Sequence, residues 1–339
     1  MLEIQRIRTE KESIIDGLKK RHFDASEIVK EVLAADEKWR SEKAKLEDVA
    51  SKMNLVSKEI GILFKQGKVQ EANEAKSQTT VLKLEESTLK LSVDELQAQI
   101  TELMYQLPNV PNELVKAGKS ELDNETIEEH GSKVEFGFKA LPHWDLASKY
   151  NLIDFELGVK ITGAGFPMYI GKGAKLQRAL INFFLDEADN AGYIEHQAPL
   201  VVNEASALGT GQLPDKEGQM YYMPEDDLYM IPTGEVPLTN IYRDVILPTE
   251  DFSIKITGYT PCFRREAGSY GSDVRGLNRL HQFDKVEIVR IEHPKNSNAA
   301  LTEMINHVKG LLEKLGLQYR VLRLCGGDTG FAASMTYDF

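Results

Sequence analysis

Cysteine is nearly absent from this chain of 339 residues: Cys262 and Cys325 are the only two, far apart and outside any C-x-x-C pair. That pattern excludes a disulfide framework and a cysteine-based zinc site, and it fits a reducing, cytoplasmic setting. Long hydrophobic runs are missing as well. None approaches the roughly 18 apolar residues of a membrane span, and the charged opening Leu2-Glu3-Ile4-Gln5-Arg6 has no export-signal pattern. His22, His130, His143, His196, His293 and His307 share no metal-ligand spacing, so no metal site is expected. Gly163-Ala164-Gly165 lacks the third glycine of a dinucleotide-binding turn. An excess of basic charge is also lacking. The 41 Lys and Arg stand against 53 Asp and Glu, giving a net charge of −12. Any nucleic-acid contact must therefore be local.

Proline does not occur from residue 27 to residue 107. Apolar positions there recur with alternating steps of four and three, the seam of a coiled coil. One series runs Ile28, Val32, Ala35, Trp39 and on to Leu63, with Glu42 its polar exception. A second runs from Ala72 to Leu107, with Thr79 and Glu86 polar. A glycine between two seams lets the chain reverse, so the pattern predicts an antiparallel helical hairpin over about 27–107, turning near Gly67. Its length is roughly 60 Å at about 1.5 Å per residue. Pro108 and Pro111 end it. Around the turn, Lys52, Lys58, Lys65, Lys68, Lys76 and Lys83 face only Glu59, Glu71 and Glu74. A basic tip on an acidic chain suits a phosphate-contacting finger, and it equally suits an ordinary solvated coiled-coil surface.

Past the prolines the texture changes to short β-rich runs, glycines and amphipathic helices. This predicts domains at 1–111 and 112–339. Helices are expected at Gly173 to Asn190, stopped by Gly192, and at Ala299 to Leu315. Strands are expected up to Val202 and at Met220 to Met223, Leu228 to Ile231, Ile254 to Thr260, Val286 to Arg290 and Tyr319 to Leu324. Neighbouring strands with few intervening helices predict an α+β domain with a mainly antiparallel sheet flanked by helices.

Chemistry concentrates between Phe263 and Glu287. Arg264, Arg265, Glu266, Arg275, Arg279, Asp284, Lys285 and Glu287 crowd two expected strands and their connection. An arginine fork holds a phosphate in two hydrogen bonds, and Phe283 offers a face on which a purine can stack. The same residues also suit a charged hairpin with cross-strand ion pairs, its Val286 and Ile288 turned inward. Thr233 to Glu235, between Pro232 and Pro237, reads by itself as a turn.

Resemblance separates these readings. Arg264-x-Glu266, a loop, then Arg279-x-x-x-Phe283 is similar to motif 2 of the class II aminoacyl-tRNA synthetases. The full strings Thr260-Pro261-Cys262-Phe263-Arg264-Arg265-Glu266-Ala267-Gly268-Ser269 and Arg279-Leu280-His281-Gln282-Phe283-Asp284-Lys285-Val286-Glu287 resemble the seryl-tRNA synthetase family. The hairpin resembles that family's tRNA-binding arm. Gly173 to Pro199 resembles motif 1, which implies a homodimer. Gly209-Thr210-Gly211-Gln212-Leu213-Pro214 resembles a loop beside the site.

The resemblance implies serine binding by Thr233, Gly234, Glu235 and Glu287, with Gly234 standing where the family more often has Ser or Ala. It implies ATP contacts from Arg264, Arg265, Glu266 and Phe283, with Arg264 on the α-phosphate and catalytic. Mg2+ is expected with ATP, and zinc is not. Lys58, Lys65, Lys68 and Lys76 are the implied contacts to tRNA(Ser), and tRNA(Sec) stays open as a second substrate. The implied reaction makes seryl-adenylate from L-serine and ATP and passes the seryl group to tRNA. The family continues past Phe339 into a further ATP-binding loop and motif 3, so an incomplete site and little adenylate from these residues alone are expected. The alternatives are a synthetase-like protein that charges a carrier protein, or a tRNA-binding protein without catalysis.

Overall fold

A computed structural model describes residues 2–132, 134–215, 218–266 and 275–339. The chain packs as two compact units, Met1–Glu128 with Val321–Phe339, and Glu129–Arg320.

The first unit opens with two short helices, α1 (Ile4–Thr9) and α2 (Lys11–Leu18), followed by two long ones, α3 (Ser26–Lys65) and α4 (Val69–Met104). The long helices persist because no proline interrupts them and, apart from Glu42, Thr79 and Glu86, an apolar residue recurs every three or four positions along the seam. Gly67 turns the chain with φ +75°, a left-handed conformation that side chains with a Cβ resist. Every expected seam position is buried or half-buried, including the polar Glu42, Thr79 and Glu86. The antiparallel hairpin is therefore the observed arm. Its second helix stops at Met104 rather than running to Leu107, since Pro108 disfavours helical geometry in the residue before it.

At the base of the arm, Ile7, Ile14, Leu18, Val29, Val32 and Ile100 pack in one cluster. Asp36 lies beside them, 1% exposed. Arg8 grips it through both guanidinium arms, Nε to Oδ2 at 2.8 Å and Nη2 to Oδ1 at 2.6 Å, while Arg40 Nε reaches Oδ2 at 3.0 Å. The Arg8 hydrogen bonds, outweighing burial, hold the Asp36 carboxyl below its usual pKa. This pair ties α1 to α3, a link invisible in the seam pattern. The strand β1 (Glu125–His130) follows.

The second unit contains α5 (His143–Lys149), then β2 (Ile153–Asp154), α6 (Phe155–Ile161) and β3 (Met168–Tyr169), with β2 and β3 antiparallel. Next come α7 (Gly171–Asn190), β4 (Ile194–Glu195), β5 (Val201–Val202), α8 (Glu204–Gly209), β6 (Tyr222–Met223) and β7 (Leu228–Met230). After α9 (Glu235–Asn240), two ten-residue strands form a ribbon, β8 (Ile254–Phe263) and β9 (Gln282–Ile291). The ribbon is antiparallel throughout, and β4 adds to β8 in parallel. Helix α10 (Ser297–Lys314) follows, and the chain returns to the first unit within β10 (Tyr319–Arg323), which pairs antiparallel with β11 (Tyr337–Asp338). The α+β reading with mainly antiparallel pairing matches this architecture.

Five strands differ from their expected bounds: β7 and β10 each stop one residue early, β9 begins at Gln282 and ends at Ile291, and β6 and β8 differ for identifiable local reasons. Met220 does not join β6 because its N–H donates to Asp215 Oδ2 at 2.9 Å instead of to a neighbouring strand. β8 runs on through Pro261 because the missing donor costs the ladder nothing there. The N–H of Phe263, two residues on, points away from β9 to Ile231 O at 2.8 Å, and the nitrogen of Pro261 lies on that same side.

Candidate active site

The register of the ribbon sorts its side chains. Cys262 opposes Phe283, Thr260 opposes Lys285 and Gly258 opposes Glu287. Directly opposed residues share a face, so small groups from β8 lie beside Phe283, Lys285 and Glu287 from β9. The other face carries Tyr259 and Asp284, joined by a hydrogen bond from the tyrosine hydroxyl at 2.7 Å. Gln177 of α7 donates to the second Asp284 oxygen at 2.6 Å. Burial, followed by that bond to Asp284, holds the Tyr259 hydroxyl far above its usual pKa. One face thus anchors α7 and leaves the other available.

The segment after β7 completes the available face. Pro232 O accepts from Arg264 Nε at 3.2 Å, which fixes the approach of the loop. Thr233, 5% exposed, donates from Oγ1 to Glu287 Oε2 at 3.1 Å and accepts from Lys285 Nζ at 2.9 Å. Lys285 also pairs with Glu287 Oε2 at 2.8 Å. Gly234 has φ −66°, which any residue adopts, so backbone freedom is not its role. A Cβ there would lie 3.0 Å from Thr260 Oγ1 and 3.2 Å from Glu287 Cβ. Its value is closeness. Glu235 begins α9 and keeps water-accessible surface while sitting among dense protein. Burial first, then the Glu287 carboxylate, raises its pKa from the usual value, and Lys285 opposes the shift. Two carboxylates thus stand against one ammonium.

Arg264 and Phe283 also meet, with the guanidinium 5.0 Å from the ring centroid. Arg265 diverges: its guanidinium stands 5.8 Å from the Tyr221 ring centroid, and its N–H donates to Gln219 O at 2.8 Å. Glu266 adopts φ +46° and pairs with Arg279 at 3.1 Å. Both line a cavity of about 710 Å³ with Arg275 and Trp144, whose ring centroid lies 5.0 Å from the Arg275 guanidinium. Ala267, Gly268 and Ser269 lie outside the described residues. His281 shares a hydrogen bond of 3.0 Å with the Tyr221 hydroxyl and stacks on Phe166, while His143 Nε2 accepts from Leu277 N–H at 2.8 Å. Both histidines thus brace the return of the ribbon.

Thr233, Gly234, Glu235 and Glu287 therefore come together, as do Arg264 and Phe283, whereas Arg265 and Glu266 face other partners. Lys285 was not among the site residues expected from sequence. Its signal was the two-residue period, since Phe283 and Glu287 on one strand face place Lys285 there too.

On α7, Ala188 is buried but Leu180, Phe183 and Phe184 are only half-buried and Leu176 is 56% exposed, so much of the apolar stripe stays at least partly exposed. Lys58, Lys65 and Lys76 project into solvent from the arm, and Lys68 pairs with Glu71 at 3.1 Å. Among the described residues, no helix is long and apolar enough to cross a membrane.

Residues 1–111 match the family model described as seryl-tRNA synthetase N-terminal domain, and residues 221–339 match the tRNA synthetase class II core domain (G, H, P, S and T). A serine–tRNA ligase of Salinibacter ruber is 47% identical over 338 residues, covering 100% of this chain and 79% of the relative. One from Thermotoga neapolitana is 44% identical over 339 residues, covering 100% and 80%. The crystal structure of seryl-tRNA synthetase from Pyrococcus horikoshii complexed with ATP superposes with a TM-score of 0.88 at 30% identity, covering 100% of this chain and 80% of that one. The cytoplasmic serine–tRNA ligase of Naegleria fowleri in complex with AMP gives 0.83 at 26% identity, covering 100% and 78%.

Proposed function

The chain belongs to the seryl-tRNA synthetase family, and on that premise we propose how its residues carry out the ligation of serine to tRNA. The reaction is that of a serine–tRNA ligase. A serine carboxylate oxygen attacks the α-phosphorus of ATP, the bond to pyrophosphate breaks, and the seryl group of the adenylate then passes to the 3′ end of tRNA(Ser) with release of AMP. The alternative of a tRNA-binding protein without catalysis is not favoured, because relatives this similar are named as ligases.

The observation that carries the residue assignment is the set formed by Thr233, Lys285 and Glu287 with Glu235 beside it. With Lys285 offsetting one carboxylate, the pocket keeps a surplus negative charge, which suits the ammonium of a free amino acid. The serine hydroxyl meets hydrogen-bonding groups that an alanine would leave unpaired, so selectivity follows from the cost of unmet polar groups. Gly234 keeps the loop close to Glu287. Arg264 holds the α-phosphate and offsets the charge that develops there, and Phe283 stacks on adenine. Adenine can take the ring face beside the Arg264 guanidinium once a phosphate draws that group away. Arg265 and Glu266 flank the nucleotide, and Mg2+ arrives with ATP. No histidine base is needed, since the attacking carboxylate is already ionised.

Residues 1–111 act as the tRNA-binding domain through the basic tip of its arm, and 112–339 as the catalytic domain. The partly exposed stripe of α7 supports a homodimer formed through Gly173 to Pro199, and the cysteine pattern supports a cytoplasmic location. Serine-dependent exchange of pyrophosphate into ATP tests the site: Glu287→Ala should lower it about 10³-fold, and a loss below about tenfold would remove this face from serine binding.

A further inference from the structure

Charge on the arm is sorted, and the sorting points to one side. With the seam written as heptad positions a and d, Ala72, Thr79, Glu86 and Val93 are a, and Ala75, Leu82, Leu89 and Leu96 are d. All three lysines of α4, Lys76, Lys83 and Lys90, then fall at e. The b positions flanking them toward the tip are Asn73, Thr80 and Ser87. On a helix wheel e and b adjoin, so these six residues make one continuous side of α4. The glutamates Glu71, Glu74, Glu85 and Glu95 fall at g and c, on the opposite side.

The pairing of the two helices agrees with that assignment. Lys52 of α3, a g position, has its pKa raised first by Asp48 and also by Glu85 at g of α4. Asp36 and Gln97, both e, line one cavity of about 260 Å³ at the arm base. The g edge is charge-compensated, Lys52 meeting Asp48 at 2.6 Å and Lys45 meeting Glu42 at 2.8 Å. Lys76, Lys83 and Lys90 are exposed and, among the described residues, have no carboxylate within 4.0 Å.

The α3 side of the same edge is slim. Between Glu47 and the tip its e and b residues are Ala50, Asn54, Ser57, Gly61 and Phe64, none charged. A Cβ on Gly61 would touch nothing within 4 Å, so packing does not require glycine, although glycine inside a helix costs about 1 kcal/mol relative to alanine. A cationic row that forms no ion pair among the described residues, with mostly neutral neighbours and Asp94 the one acid at b beside Lys90, leaves room for a polyanion to approach.

We propose that the arm docks the RNA backbone along this e and b side, with Lys76, Lys83 and Lys90 on phosphates and Asn73, Thr80 and Ser87 bonding phosphate or ribose oxygens. The three lysines are seven residues apart, a row of roughly 21 Å at about 1.5 Å per residue. Side chains of these types make the sequence-independent contacts that set register on a nucleic acid. The proposal rests on the reading that the arm binds tRNA and specifies which surface does so. Lys58 and Lys65 lie at f, pointing away from the seam, and Lys68 is held by Glu71. Only Lys76 is common to both sets.

The test is titration of tRNA(Ser) against the full-length protein at two salt concentrations. The triple variant Lys76→Ala/Lys83→Ala/Lys90→Ala should bind at least about 30-fold more weakly, with the dependence of log K on log salt shallower by about 2, as loss of some three phosphate contacts requires. Lys58→Ala/Lys65→Ala should lose less than about threefold on the same scale. Gly61→Glu separates folding from binding: the arm should melt at a higher temperature while RNA affinity falls, because helix propensity improves as negative charge enters the docking side. Loss from the f pair with no loss from the e triple would overturn the proposal and leave arm binding intact. No change in either variant would overturn both.

Discussion

Along α4 the lysines are kept apart from the glutamates, whereas on the β8–β9 ribbon Lys285 is held 2.8 Å from Glu287 and shares Thr233 with it. Each region is a segment folded back on itself, but their partners differ in size. A polyanion is attracted by the summed field of a charged row, and released counterions supply affinity without exact placement of any group. A small amino acid must instead be recognised by a few fixed groups whose own charges are nearly balanced, or the empty site would be costly to bury. The arm can therefore tolerate exposed, mobile lysines, while the ribbon buries Thr233 and narrows its loop with Gly234.

The sharpest way to break this contrast is to remove charge from the balanced site. Glu287→Ala should lower kcat/KM for serine in pyrophosphate exchange about 10³-fold, since Thr233 and Lys285 lose their shared acceptor. A loss below tenfold would place serine recognition elsewhere. Asp36 tests the arm's own buried charge. Asp36→Ala should destabilise the first unit by about 3 kcal/mol, because Arg8 is left without its partner, as read by denaturant unfolding. The pKa of Asp36 is depressed in the folded chain, so this stabilisation is complete above the unfolded value and disappears as pH falls through the folded one.

Glu235 has the opposite sign. Its folded pKa is raised, so its ionised form opposes folding at neutral pH and the penalty vanishes as pH drops below the unfolded value. Glu235→Gln should therefore melt no lower than the parent at neutral pH, while KM for serine rises about tenfold through loss of one charged partner. A drop in melting temperature would contradict the charge surplus. In the arm seam, Glu86→Leu should stabilise the hairpin by about 1 kcal/mol, seen as a higher helix melting temperature, because a polar a position costs stability. The smallest change is Gly234→Ala. Its methyl must shift Thr260 and Glu287 by tenths of an ångström, and KM for serine should rise about twofold to fivefold, within the range of a mild overpacking.

Sequence carried the arm almost whole, because a seam repeats the same physical requirement over some eighty residues and each repeat reinforces the register. It carried the ribbon less completely. The functional residues Thr233, Glu235, Glu287, Arg264 and Phe283 stood out by type, but Lys285 needed the strand period, and the divergence of Arg265 toward Tyr221 follows from that same alternation. Asp36 was out of reach, since its partner Arg8 is 28 positions away on a separate short helix. The role of Gly234 was out of reach too, since only its ordinary φ and crowded surroundings make it a spacing residue. Long-range approach leaves no periodic trace.

The assignment of Thr233, Glu235, Lys285 and Glu287 to serine is tested most directly by comparing serine with alanine in pyrophosphate exchange by the protein. Alanine should be disfavoured in kcat/KM by about 10³-fold or more, and Glu287→Ala should collapse this ratio toward one. Discrimination that survives Glu287→Ala, or alanine activated within tenfold of serine by the parent, would contradict the assignment.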